Sequence, residues 1–167
     1  RPGLWEDLMR TLAEFAARAQ EGPEEMHLLV RMGRWYGEKI GKNDAALPCL
    51  QRALRIDPTS DAPVDAMASY YRRTNMHAEL AALLMRRAES STNPARSRES
   101  LVEAAQMYEE RLNESGRAQE LYARVVKDDP GHPQAVTALE RMYEKAGRWS
   151  DLVKILERRA EATSGKE

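Results

Sequence analysis

This sequence lacks several things, and each absence excludes something. It has one cysteine, Cys49, in 167 residues, so no disulfide can close within the chain. A reducing compartment is expected, and the cytoplasm is the assignment. It has three histidines, His27, His77 and His132, widely separated from one another and from Cys49. The close set of about four ligands that zinc requires is not assembled, so no metal is expected. Neither sign of charge dominates, with 26 basic and 27 acidic side chains. A nucleic-acid surface usually shows a basic excess, so no specific nucleic acid is expected. No apolar run approaches the roughly 20 residues that span a bilayer. No glycine-rich phosphate loop is present, so no cofactor is expected, and no stretch alternates apolar and polar residues as a strand would. The sequence opens on "RPGLWEDL" and shows no leader pattern, which reads as an excised or processed piece.

What remains is a chain 42% hydrophobic and 32% charged, apolar enough to build a core. Arg far outnumbers Lys and Ala is abundant, which points to a GC-rich bacterial gene. The main signal is internal repetition. "LWEDLMRTLAEFAA" from Leu4, "MHAELAALLMRRAE" from Met76 and "RWSDLVKILERRAE" from Arg148 are versions of one helix. A shift of 72 residues superposes Leu8, Leu80 and Leu152, then Leu12, Leu84 and Leu156. Leu29 meets Leu101, Tyr36 meets Tyr108, Ala46 meets Ala118, and Asp57-Pro58 meets Asp129-Pro130. Identities sit at apolar, small and turn positions while charges vary, as expected of a repeated packing constraint.

Each 72-residue unit reads as four helices. Leu8, Leu12, Phe15 and Ala16 make one apolar stripe, broken at Gly22-Pro23. Met26, Leu29, Val30, Gly33 and Tyr36 make the next, ending near Gly41. A third helix is predicted from Ala45 to Ile56, stopped by Asp57-Pro58 because proline disfavours helical geometry in its predecessor. A fourth runs from Asp61 to Thr74, with Pro63 in its first turn where the missing N–H costs little. Asn75 and Gly147 are expected as left-handed terminators. Nine helices result, in one domain over 1–167 made of units 4–75 and 76–147 and a partial unit 148–163. The array is expected to be the interior of a longer one.

These residues resemble the tetratricopeptide repeat (TPR), a helix–turn–helix unit of about 34 residues. The resemblance is carried by "AVTALERMYEKAGRWSDLVKILERRA" from Ala135 and "RAQELYARVVKDDP" from Arg117. Tyr143 and Gly147 match the first-helix Tyr and the inter-helix Gly. Ala118, Tyr122, Val125 and Pro130 match the second-helix Ala, aromatic, small residue and terminal Pro. Gly33, Ala68 and Ala105 take the small site where helices approach closely. Leu80 and Leu152 depart from the usual second-helix Ala, and the stretches at 18–25 and 90–97 add about four residues. The resemblance implies an all-α, right-handed solenoid of antiparallel helix pairs. It also implies a non-enzymatic scaffold that binds a peptide or partner protein along the first helix of each repeat, here about 24–40, 61–74, 96–112 and 133–146.

Taking Leu29, Gly33 and Tyr36 as packed, the open face presents Arg31 and Arg34 on the first of these helices. The next presents Asp65, Ser69 and Arg72, the third Glu103, Gln106 and Glu110, and the fourth Thr137, Arg141 and Lys145. Such a face changes sign along its length, and a partner of complementary charge order is expected. No catalytic residue is assigned, because no nucleophile or acid–base pair survives comparison between units. Cys49 takes the place of Leu121 and reads as a buried thiol. Glu24-Glu25 and Glu109-Glu110 read as solvated helix faces, and the tryptophans as mostly core, with Trp35 able to reach a groove. The alternatives are a self-assembling array joined end to end and an RNA-processing helical scaffold.

Overall fold

The computed structural model describes residues 2–18 and 22–164, and every regular element among them is helical. The helices are α1 (Pro2–Arg18), α2 (Pro23–Arg34), α3 (Asn43–Ile56), α4 (Asp61–Arg73), α5 (His77–Ser90), α6 (Pro94–Glu110), α7 (Ser115–Asp128), α8 (Pro133–Lys145) and α9 (Trp149–Ser164). α2 runs on as a π-helical turn over Trp35–Ile40. Nine helices were expected and nine are found among the described residues. Proline opens α2, α6 and α8, where its preset φ suits the first turn. Asn93 caps α6 by accepting from the Ala95 and Arg96 amides, at 3.0 and 3.3 Å.

The four first-type helices, α2, α4, α6 and α8, all end on a left-handed residue: Gly41, Asn75, Asn113 and Gly147, with φ of 75°, 58°, 56° and 65°. Two of these positions were expected and all four have one closure. The amide after the left-handed residue donates to a tyrosine carbonyl: Lys42 to Tyr36, Met76 to Tyr71, Glu114 to Tyr108 and Arg148 to Tyr143, at 2.8 to 2.9 Å. The donor lies five residues past the tyrosine in α4 and α8 but six past it in α2 and α6. The six-residue closure accompanies a π turn in α2 alone, since α6 stays α-helical to Glu110.

The second-type helices α3 and α7 end at the repeated Asp-Pro turn. Asp57 Oδ1 accepts from the Thr59 amide, the Thr59 hydroxyl and the Ser60 amide at 2.8 to 3.0 Å. Asp129 Oδ1 accepts from the Gly131 amide at 3.3 Å. These bonds hold the chain in the bend that proline begins.

The chain divides into two compact units, Arg1–Met76 and His77–Glu167. The division falls at the boundary of the 72-residue period. In the first unit, α2 packs on α3 around Leu29, Ala46, Leu50 and Ala53. A Cβ on Gly33 would stand 2.5 Å from Leu50 Cδ2, which is why the close α2–α3 approach needs a residue without one. In the second unit, α6 packs on α5 and α7 around Leu101, Ala104, Ala105, Ala118 and Val125.

Four readings of single residues need correction. Glu25 is buried, not solvated, and forms an ion pair with Arg52 of α3. Glu109 is half-buried and paired with Arg141. Trp149 is exposed, because α8 is the main helix packed against α9. Cys49 is half-buried, and burial pushes its thiol above the ordinary range, so thiolate is scarce.

Candidate partner-binding site

None of the eleven side chains expected on the open face is fully buried. In the first unit, Arg31, Arg34, Asp65 and Arg72 are exposed and Ser69 is half-buried. The Arg31 guanidinium lies 5.0 Å from the centre of the Trp35 ring, so Trp35 does reach the surface, under a cation. In the second unit, Glu110, Thr137, Arg141 and Lys145 are exposed, and Glu103 and Gln106 are half-buried.

Four of these come together. Gln106 and Glu110 of α6 and Thr137 and Arg141 of α8 line one groove of about 410 Å³. α7 contributes its floor through Tyr122, whose hydroxyl donates to Glu109 Oε2 at 3.5 Å. Glu109 also accepts from Arg141, an ion pair that ties α6 to α8 directly. Burial pushes the Tyr122 phenol up to about 12, helped by the Glu109 carboxylate and opposed by Arg141. Glu109 and Arg141 also line a second depression, with Ser115, Gly116, Gln119 and Lys145. The ion pair is therefore a wall between two hollows, and Lys145 falls on the far side of it from Thr137. Glu103 lines neither. A further hollow of about 350 Å³ in the first unit, at Met9, Arg10, Tyr36, Ile40 and Lys42, contains none of the expected residues.

Reading rows along single helices missed Gln134 and Tyr122. Gln134 lies one turn before Thr137, so extending the row by three residues would have found it. Tyr122 belongs to a second-type helix and enters the groove only because α6 and α8 leave a gap over it. No group of acidic, histidine or cysteine side chains suited to a metal occurs among the described residues. No helix there is long and apolar enough to cross a membrane.

These features define a class of protein, one built from repeated antiparallel helix pairs whose turns close in one recurring way. Residues 135–167 match the family model of the tetratricopeptide repeat. Two crystal structures of MamA have a similar fold. One is 20% identical with a TM-score of 0.59, over 95% of this chain and 88% of that one. The other is 19% identical with a TM-score of 0.59, over 98% and 85%. No curated protein matches the sequence. The chain is a TPR-like helical repeat.

Proposed function

We propose that this chain is a protein-interaction scaffold that holds an extended segment of a partner protein against its first-type helices. In the second unit the seat is the α6–α8 groove. The observation that carries this reading is the convergence of Gln106, Glu110, Thr137 and Arg141 over Tyr122. Glu109 and Arg141 largely neutralise each other, which leaves the amides of Gln106 and Gln134 and the Thr137 hydroxyl as neutral hydrogen-bonding groups. An extended peptide carries unpaired backbone N–H and C=O groups that side-chain amides can satisfy from both sides. Glu110 adds one exposed carboxylate, which suits a basic side chain in the bound segment. In the first unit Arg31 and Arg34 give the opposite preference, so the partner is expected to be acidic where it meets α2.

Selection from a displayed random-peptide library tests the assignment. Peptides recovered on the wild-type chain should be enriched in a basic residue and should lose binding to Thr137→Arg, which fills the groove. Binding that survives Thr137→Arg but fails with Arg86→Glu, on the outward row of α5, would place the site elsewhere.

A further inference from the structure

The Glu109–Arg141 pair stands between two hollows, and the charges left over on its two sides are opposite. On the near side, the charged residues lining the α6–α8 groove are Glu109, Glu110 and Arg141. On the far side lies a depression of about 420 Å³ whose charged residues are Glu109, Arg141 and Lys145. The shared pair cancels in both. What remains is the Glu110 carboxylate in one hollow and the Lys145 ammonium in the other. Both residues are exposed, and neither takes part in a hydrogen bond or ion pair among the described residues.

The remaining polar side chains of the far hollow are donors. Gln119 Oε1 already accepts from Arg148 at 3.3 Å, which leaves the Gln119 amide N–H groups, and Ser115 adds a hydroxyl. Each oxygen of Glu109 already has a donor, Oε1 from Arg141 and Oε2 from Tyr122. A side chain that enters this hollow therefore meets a cation and donors, and its complement is a carboxylate. Half-buried Met142 supplies apolar surface for the methylene stem of such a side chain. One helix carries both hollows. Thr137, Arg141 and Lys145 form a single row of α8, and each step of four residues rises about 6 Å. Side chains on one side of an extended segment are spaced by about 6.6 Å. The two spacings nearly match, so a segment laid along α8 meets the groove, the ion-pair wall and the far hollow with successive side chains of one face.

We propose, resting on the scaffold reading above, that the partner segment is recognised by a pair of opposite charges on one of its faces. Its basic side chain sits in the α6–α8 groove beside Glu110. Its acidic side chain, roughly two to four residues away, passes the Glu109–Arg141 wall and sits in the far hollow beside Lys145. Both charges lie at the rim, so they act on the choice of partner more than on total affinity.

Peptides selected from the displayed library on the wild-type chain test this. Each is synthesised as selected and again with its acidic residue changed to lysine, and calorimetric titration measures the affinity of both forms. Selected peptides should carry an acidic residue at the stated distance from the basic one. Lys145→Glu should weaken the selected form about five- to tenfold, the loss expected of a reversed charge at an exposed site. The same variant should bind the lysine form more tightly than the wild-type chain does, while its thermal midpoint stays that of the wild type. Thr137→Arg should abolish binding of both forms. Loss with Thr137→Arg but no response to Lys145→Glu overturns the proposal and leaves the scaffold reading standing. So do selected peptides without the acidic residue. Binding that survives Thr137→Arg, or a library that yields no peptide, overturns the scaffold reading and the proposal with it.

Discussion

Leu12, Leu84 and Leu156 share one register of the 72-residue period, yet Leu84 is 0% exposed and Leu156 43%. Burial, not residue type, sets what each contributes. Leu84→Ala is expected to cost about 2–5 kcal/mol, the range for a buried leucine that leaves a cavity. Leu156→Ala should cost about 1 kcal/mol or less, because much of its surface is already in water. Chemical denaturation of the two variants at a concentration where the chain is monomeric measures both. Equal losses would contradict the difference in packing. Tyr122 offers a second test at this scale. Its phenol is raised from 10.0 to about 12, so between these values the folded state holds a proton that the unfolded state has released. The contribution is fully present below pH 10 and is lost as pH rises toward about 12. Ultraviolet titration of the phenolate should show a group that ionises above the ordinary tyrosine range, absent in Tyr122→Phe, and Glu109→Gln should lower it by removing the carboxylate.

Whole elements were the most legible part of the sequence. Helix limits follow from apolar stripes, from prolines at first turns and from Asn and Gly at ends, and the structure places most of them within two residues. The π turn was not legible. Nothing in "WYGEKI" alone announces the π form, and the six-residue closure from Lys42 back to Tyr36 is shared by α6, which stays α-helical. The burial of Glu25 was equally hidden, because its partner Arg52 lies on another helix and only packing brings them together. The left-handed caps give the test for this scale. Gly41→Ala and Gly147→Ala should each cost about 1–2 kcal/mol, since a Cβ is unfavourable at positive φ and neither site gains a contact within 4 Å in return. Asn113→Gly should be neutral or slightly stabilising. The Asp57 turn adds a pH dependence. Hydrogen bonds from the Thr59 hydroxyl and amide hold the carboxyl below the usual range. The turn is therefore fully stabilised above the unfolded carboxylate value, and this is lost as pH falls through the lower, folded one. Asp57→Asn should remove that acid-side dependence from the melting of the first unit.

For the molecule as a whole, the repeat was readable because packing recurs at a fixed period, and exposure along the first-type helices was readable in part because helical spacing divides each into two faces, with Ser69, Glu103 and Gln106 half-buried. The meeting of rows from different helices was not readable. The α6–α8 groove depends on the Glu109–Arg141 pair and on Tyr122 beneath it, contacts that join three consecutive helices through side chains 13 and 32 residues apart. The most direct measurement of the central claim is amide hydrogen exchange of the full chain with and without a saturating peptide selected on it. The account predicts slowed exchange in α6 and α8, centred on Gln106, Glu110, Thr137 and Arg141. Slowing confined to α5 and α7, with α6 and α8 unchanged, would contradict it.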